Sequence, residues 1–368
     1  MRFVPVQSIK DNSILMKSIY GTHGEMLLNA GVVLNQHYKR KLIELGLNGV
    51  YVHDNISDNI EVVSVINDSL KNNAVQNIKN TFIFAAKPNT SKMEKRRSLI
   101  NISDIVDSVI DDISKNKDMI INMIDLKVFD DYTFYHSVNV AVLSIVVGIA
   151  LKLPRTTLHN LGTAAILHDI GKVFVPKHIL NKSGKLTPEE WQILKNHSAN
   201  GYNYLKDEFE VHHKCYQGVL QHHERWDGRG YPYQLSGKRI SLFGRIIAVA
   251  DVYDALISDR AYRKGFSPFE AMEYIMGGGG TMFDTEIVKI FTERVAPYPV
   301  GTIVSLSNDL VGIVVENHPG RATRPVVKVV KKDGKKIRPF VLDLWDPGTK
   351  AITIVDQIKD YQENILDL

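Results

Sequence analysis

Ala164-Ala165-Ile166-Leu167-His168-Asp169-Ile170-Gly171-Lys172 is the stretch on which the reading of this chain turns. An apolar helical run reaches an imidazole and a carboxylate side by side and then stops at a glycine. A buried carboxylate beside an imidazole is costly unless it is paired or coordinated. Successive helical side chains diverge by about 100°, so the two neighbours can approach a pair of metal ions from different directions. Taken alone, the dipeptide fits a hydrogen-bonded core pair equally well, because buried polar groups usually find partners. Other donors have to decide.

Nine of the 13 histidines fall between His136 and His223. His197 lies three residues after Leu194 and six after Trp191, which predicts one Pro188-started helix with all three on a shared apolar face. His222-His223 closes the helical stretch Cys215–Gln221, just before a glycine-rich loop. Asp251 sits within Ile246-Ile247-Ala248-Val249-Ala250-Asp251-Val252-Tyr253, a run apolar enough to be buried all round, where an unpaired carboxylate is expensive. His136 precedes a core helix that starts at Val138. Each position singly reads as a hydrogen-bonded core group. Together they point to metal.

The rest of the chain sets bounds. Its 368 residues suggest two or three domains. With 44% hydrophobic and 23% charged residues, a disordered or fibrous chain is excluded. The balance of 45 Lys+Arg against 41 Asp+Glu is too even to call for a nucleic-acid partner. A single cysteine, Cys215, forms no internal disulfide, and the first residues lack the apolar core of a signal peptide, so a cytoplasmic location is expected. Val138 to Leu151 is a fourteen-residue, nearly apolar run, short of the ~20 residues that a membrane span needs. It is expected to be a buried core helix, with no membrane association.

Three segments follow from local signals. Residues 1–90 read as a small α+β module, a regulator or a dimer contact, with a helix over Gln36–Leu45 stopped at Gly46, a strand at Val50–Val52 and a helical linker over 61–86. Residues 91–298 are dominated by helix. Ile102, Ile105, Val106, Val109, Ile110 and Ile113 recur at three- and four-residue steps, and capping boxes with proline at the first helical position open helices at Thr187-Pro188-Glu189-Glu190 and Ser267-Pro268-Phe269-Glu270. Residues 299–368 turn to β-branched runs, with Asp333-Gly334 as a hairpin turn between Val326–Lys331 and Ile337–Leu344. The basic stretch Arg321 to Arg338 reads as a solvated β face. The four glycines Gly277–Gly280 read as a loop before a helix capped by Asp284.

The run His222-His223-Glu224-Arg225-Trp226-Asp227-Gly228-Arg229-Gly230-Tyr231-Pro232, following His168-Asp169-Ile170-Gly171-Lys172, resembles the HD-GYP subgroup of HD-superfamily metal-dependent phosphohydrolases, which hydrolyse cyclic di-GMP. The resemblance covers roughly residues 100 to 295 and extends to His136-Ser137-Val138-Asn139-Val140, Lys195-Asn196-His197, Ala250-Asp251-Val252-Tyr253-Asp254-Ala255-Leu256 and Asp259-Arg260-Ala261-Tyr262-Arg263. It implies a multi-domain, mainly α protein, with a central all-α HD-type bundle flanked by the small N-terminal α+β module and the small C-terminal β module. It also implies a cyclic di-GMP phosphodiesterase that opens the 3′-5′ phosphodiester to linear pGpG, and then to GMP in some cases, by means of a hydroxide bridging two metals.

Carried over position by position, His136, His168, Asp169 and Asp251 hold one metal, and His197, His222 and His223 hold the second, with Asp169 bridging. Imidazoles and carboxylates without thiolate suit Fe, Mn or Zn over Mg or Ca, and the resemblance favours Fe or Mn. Family members that assemble a third metal place a glutamate where this chain has Tyr132, so two metals are expected, with Asp130 or Asp131 as the substitutes to exclude. Lys172 is expected to serve catalysis with Asp169 and to contact a phosphate oxygen, its bland alternative being a helix C-terminal cation. Arg260 and Arg263, three apart, are expected to grip the two phosphates. Gly230, Tyr231 and Pro232 are expected to meet the substrate, or equally a protein partner. Asp254, one turn beyond Asp251, competes with it as a ligand. His212-His213, His159 and His178 are left outside the site. The competing functions are hydrolysis of another cyclic dinucleotide or nucleotide, and a metal-loaded module that senses cyclic di-GMP or docks a partner without turnover. A homodimer is compatible with all of them.

Overall fold

The structure is a computed structural model that describes residues 1–21, 25–45, 47, 49–53, 60, 64–87, 89–115, 120–121, 132–208, 211–258 and 265–358. Within them the chain is mainly helical, with strands in sheets towards both ends.

The N-terminal segment comprises β1 (Arg2–Pro5), β2 (Ile14–Leu15), β3 (Ile19–Tyr20), β4 (Met26–Leu28), α1 (Gln36–Glu44) and β5 (Gly49–His53). Strand β5 pairs antiparallel with β1 and with β2, and β3 pairs with β4. The Asn35 side chain accepts from the backbone N–H of Tyr38 and so starts α1. The sequence places this helix and β5 correctly; Gly46, its expected stop, lies outside the described residues.

A single hydrophobic cluster runs from Val65 to Val295 and forms the helical core. It contains α2 (Asp68–Ala86), α3 (Lys92–Lys115), α4 (Tyr132–Ala150), α5 (Arg155–Ile166), α8 (His197–Glu208), α9 (His213–Gln221), α10 (Leu242–Ile257), α11 (Pro268–Gly277) and α12 (Thr285–Arg294), with the short α6 (Lys177–Leu180) and α7 (Pro188–Lys195) at its edge. Helix α2 differs from its reading as a linker. Ala74, Val75, Ile78, Phe82 and Ala85 repeat at helical spacing and are buried in the same core as α3 and α4. Helix α4 reaches further back than the fourteen-residue run suggested. Thr133–Ala150 is, among the described residues, the one helix long and apolar enough to cross a membrane, and 78% of that window is buried inside the protein.

Both capping boxes form: the Thr187 and Ser267 hydroxyls accept from the N–H groups of Glu190 and Glu270, whose carboxylates reach back to the cap N–H. The Pro188-started helix is shorter than expected. It ends at Lys195 with Asn196 as its cap, and His197 opens a new helix. Trp191 therefore does not share a buried face with His197; it is 43% exposed, and α7 buries no residue fully.

The C-terminal segment is a five-stranded antiparallel sheet in the order β10-β6-β7-β8-β9, built from β6 (Ile303–Leu306), β7 (Leu310–Glu316), β8 (Val326–Lys332), β9 (Lys335–Asp343) and β10 (Ile354–Gln357). Asp333 (φ 47°) and Gly334 (φ 73°) both take the left-handed conformation that a two-residue hairpin turn requires. The basic stretch is less solvated than expected. Lys331 is buried, and the Arg324 guanidinium donates to the carbonyls of Leu344, Thr349 and Ile352. The two sheet regions also share a core: Tyr51 and Ile60 pack with Val300, Ile303, Ile313 and Val330.

Candidate metal centre

Five elements deliver the donors to one place. His136 projects from α4, and His168-Asp169 occupy the turn between α5 and the 3-10 segment Ile170–Phe174. His197 is the first residue of α8, His222-His223 follow α9, and Asp251 lies on α10. Gly171 makes the close approach of these elements possible. A Cβ at that position would stand 1.8 Å from the His197 carbonyl oxygen and 2.5 Å from the Gly201 backbone nitrogen. Only a residue without a side chain lets the turn after Asp169 lie directly against the first turn of α8, which is where His197 sits.

Three histidines are oriented by the same device. Nδ1 of His168 lies 2.7 Å from the Ala165 carbonyl oxygen, Nδ1 of His197 2.8 Å from that of Leu194, and Nδ1 of His222 2.6 Å from that of Val219. A carbonyl oxygen can only accept, so each Nδ1 carries a proton, and the neutral form of each ring keeps its lone pair on the inward-facing Nε2. The His197 and His222 Nε2 atoms are 3.4 Å apart, and His223 Nε2 is 3.2 Å from His197 Nε2. Between His197 and His222, whose Nδ1 atoms both carry protons, neutral rings bring two lone pairs face to face, which repel unless a cation lies between them.

The carboxylates complete the cage. Asp169 approaches His168 Nε2 at 3.4 Å through one oxygen and His197 Nε2 at 3.5 Å through the other. Asp251 Oδ1 is 3.1 Å from His136 Nε2 and 3.9 Å from His168 Nε2. Three donor groups lie close enough to coordinate one ion each: His136–His168–Asp251, His168–Asp169–His222 and His197–His222–His223. His168 is common to the first two groups and His222 to the last two, so the three overlap. His168 Nε2 and Asp169 Oδ1 are buried without a hydrogen-bond partner, an expensive state that cations would relieve. The donor set thus fits divalent metal ions.

Titration follows the same geometry. Burial drives the imidazoles towards the neutral, ligating form: His222 falls well below its ordinary value, His223 is pushed down to about 3 and His197 is also lowered. For His136 burial acts in the same direction, but hydrogen bonds to Asp251 and Asp254 outweigh it and raise the ring to about 9. Burial works against a charged Asp169, yet Lys172, with His168 and His197, holds it well below the usual carboxylate range. Lys172 Nζ lies 2.5 Å from Asp169 Oδ2.

Asp254 is not in any of the three donor groups. It is fully buried, 2.7 Å from His136 Nδ1, and accepts from the Asn139 amide at 2.8 Å. It fixes the ring that faces Asp251, as outer partners of metal-binding histidines do. Sequence spacing offered Asp254 only as a rival, and nothing in it paired Asp254 with Asn139, 115 positions away.

The glycine-rich loop closes over one side. Buried Glu224 accepts from the N–H groups of Tyr233 (2.7 Å) and Leu235 (3.0 Å), pinning the loop. A Cβ at Gly230 would meet the backbone of His223, Glu224 and Arg225 at 2.4–2.5 Å. The Tyr231 ring tilts along His223 with centroids 4.7 Å apart, and Pro232 follows through a cis peptide bond. Arg260, Arg263, Asp130 and Asp131, and the side chain of Tyr132, lie outside the described residues. His212 caps α9 by accepting from the Lys214 N–H, and His159 pairs with Asp107 on the bundle surface, so both stand outside the site.

The family model for the HD domain matches residues 108–287, which hold all seven donors. This chain carries an HD domain. Its motifs are those of the HD-GYP type. A cyclic di-GMP phosphodiesterase of Pseudomonas aeruginosa is 39% identical over 263 residues, covering 72% of this chain and 63% of the relative. A cyclic di-GMP phosphodiesterase of Thermotoga maritima is 31% identical, covering 63% of this chain and 62% of its own length. A 3′3′-cGAMP-specific phosphodiesterase of Vibrio cholerae is 38% identical over 132 residues, covering 36% of this chain and 25% of the relative. The chain thus spans somewhat less than two thirds of the two longer matches, and the similarity to all three includes enzymes acting on cyclic dinucleotides.

Proposed function

We propose that this chain is a metal-dependent phosphodiesterase that opens cyclic di-GMP to linear pGpG, with two divalent cations, Fe or Mn, held by its HD domain. The observation that carries the reading is the convergence of inward-facing Nε2 lone pairs on Asp169 and Asp251. In this assignment His136, His168, Asp169 and Asp251 hold one ion, and His197, His222 and His223 hold the other, with Asp169 between them. Such a pair, when bound, supplies hydroxide near neutral pH and polarises phosphoryl oxygens.

The chain's own groups do the rest. Ala165, Leu194 and Val219 carbonyls and Asp254 hold the rings in the ligating tautomer. Lys172, partly exposed beside Asp169, offers an ammonium to a non-bridging phosphate oxygen. Tyr231 lies against His223, Gly230 lets the loop approach the backbone of His223–Arg225, and Gly230, Tyr231 and Pro232 are assigned to the substrate by their motif. Arg260 and Arg263 are assigned to the phosphates by their motif. The helical unit is proposed as the catalytic part, with the N-terminal α+β module and the C-terminal β module flanking it.

Similarity to a 3′3′-cGAMP-specific enzyme favours a second substrate, the mixed dinucleotide. Product analysis under anaerobic, reducing conditions tests both readings: wild type loaded with Mn or Fe is expected to convert cyclic di-GMP to pGpG, and His168→Ala/Asp169→Ala to give none. Turnover confined to cGAMP selects the second substrate. Binding of cyclic di-GMP without product makes the domain a sensor.

A further inference from the structure

Helix α7 is an anomaly beside the metal cage. It is well capped, buries none of its residues fully, and carries Trp191 on the surface at 43% exposure. The last residue of the helix, Lys195, is half-buried. Its Nζ lies 5.6 Å from the centroid of the Trp191 ring and 5.4 Å from that of Tyr231. Tyr231 in turn lies against His223, so a single tyrosine ring separates this ammonium from a donor of the cage. Two nearby lysines differ in this respect: Lys172 pairs with Asp169, and Lys182 pairs with Glu190 of α7 itself. Lys195 has no carboxylate partner among the described residues.

At 5.4–5.6 Å from the ring centroids the aromatic faces attract the cation, but they lie too far to take up its three N–H groups as a lone-pair acceptor would. A half-buried ammonium kept in this way, one tyrosine ring from the cage, is prepared for an anionic oxygen. A cyclic dinucleotide brings two phosphates on one ring, and only one of them can lie at the cage during a single cleavage. We infer that Lys195 binds the phosphate that is not being cleaved, and that Trp191 is a positioning residue that holds the Lys195 side chain against Tyr231. The inference rests on the cyclic dinucleotide reading above and adds a binding residue to it.

The consequence is selectivity by phosphate count rather than by base. Lys195→Met is expected to raise KM for cyclic di-GMP about tenfold to a hundredfold, the size of one lost charge-assisted hydrogen bond, while kcat changes less than threefold. A similar rise is expected for cyclic di-AMP or 3′3′-cGAMP where either is turned over. Bis(4-nitrophenyl) phosphate has a single phosphate, and its KM is expected to move at least tenfold less. Lys195→Arg keeps the charge and is expected to restore most of the affinity. Trp191→Ala should follow Lys195→Met in direction with a smaller effect, and Trp191→Phe should stay near wild type. Equilibrium binding of cyclic di-GMP to the metal-loaded full chain provides the readout without turnover.

A Lys195→Met variant that keeps wild-type KM and affinity for cyclic di-GMP overturns the inference and leaves the functional reading intact. Equal losses on bis(4-nitrophenyl) phosphate and on the dinucleotide also overturn it, since they mean damage to the cage. If wild type cleaves the small diester and no cyclic dinucleotide, the functional reading fails. The binding experiment then decides Lys195 separately, and no binding of cyclic di-GMP by wild type overturns both.

Discussion

Replacing Gly171 by alanine probes the contact on which the position of His197 depends. The added Cβ would lie 1.8 Å from the His197 carbonyl oxygen and 2.5 Å from the Gly201 nitrogen, against ordinary van der Waals contacts of 3.4 Å or more. Both obstacles are backbone, so no side chain can rotate away, and α8 must move by more than an ångström. Overpacking a tight site costs about 1–3 kcal/mol, and a backbone-to-backbone clash belongs at the upper end. Removing a glycine from the unfolded chain returns about 0.4–1 kcal/mol, which leaves a net loss of about 2–3 kcal/mol. At about 2–4 °C per kcal/mol for a domain of this size, the melting temperature falls by roughly 5–10 °C. Displacing His197 also loosens the second cluster, with an expected loss of about tenfold to a hundredfold in metal affinity. The assay pairs thermal denaturation of the metal-free chain with metal retained after gel filtration. Gly184→Ala is the control: nothing lies within 4 Å of a Cβ there, and its stability should stay within about 0.5 kcal/mol of wild type. Gly171→Ala with a wild-type melting temperature and full metal retention would refute the reasoning.

Other outcomes follow from the same geometry. Asp254→Asn keeps the shape but withdraws the charge that orients His136, so metal titration should show about a tenfold to hundredfold weaker affinity with the fold retained by circular dichroism. Ser267→Ala removes the cap of α11 and should lower stability by about 1 kcal/mol in urea denaturation. Burial pushes the Cys215 thiol up to about 12, so at pH 8 the folded chain should react with iodoacetamide roughly a thousandfold more slowly than in guanidinium; equal rates would contradict its buried setting. Since the folded thiol keeps its proton to higher pH than the unfolded one, stability should fall as pH rises from about 8.5 towards about 12.

What the sequence made legible was chemistry written in local order. The donors His136, His168, Asp169, His197, His222, His223 and Asp251 stand out because an imidazole or carboxylate inside an apolar run is costly, and their motifs keep a recognisable order. The capping boxes and the Asp333-Gly334 hairpin are likewise determined within a few residues. Features set by distant contacts stayed hidden. The break at Asn196, which separates Trp191 from His197, leaves no mark in the periodicity, because Leu194, His197 and Trp191 match a continuous helix equally well. Helix α2 joins the bundle through packing on α3 and α4, which a polar boundary at Lys87 to Lys92 does not announce. The reason for glycine at 171 is the distant backbone of His197 and Gly201. The shared core of Tyr51 with Val300 and Ile313 links the two ends of the chain, and no pattern within either end predicts it.

The most direct test of the account counts metal. Protein reconstituted anaerobically with Mn or Fe and freed of loose ions should retain two equivalents per chain, and Asp169→Ala, which removes the group between the clusters, should retain fewer than one. Three tightly held equivalents, or two equivalents undiminished in Asp169→Ala, would contradict it.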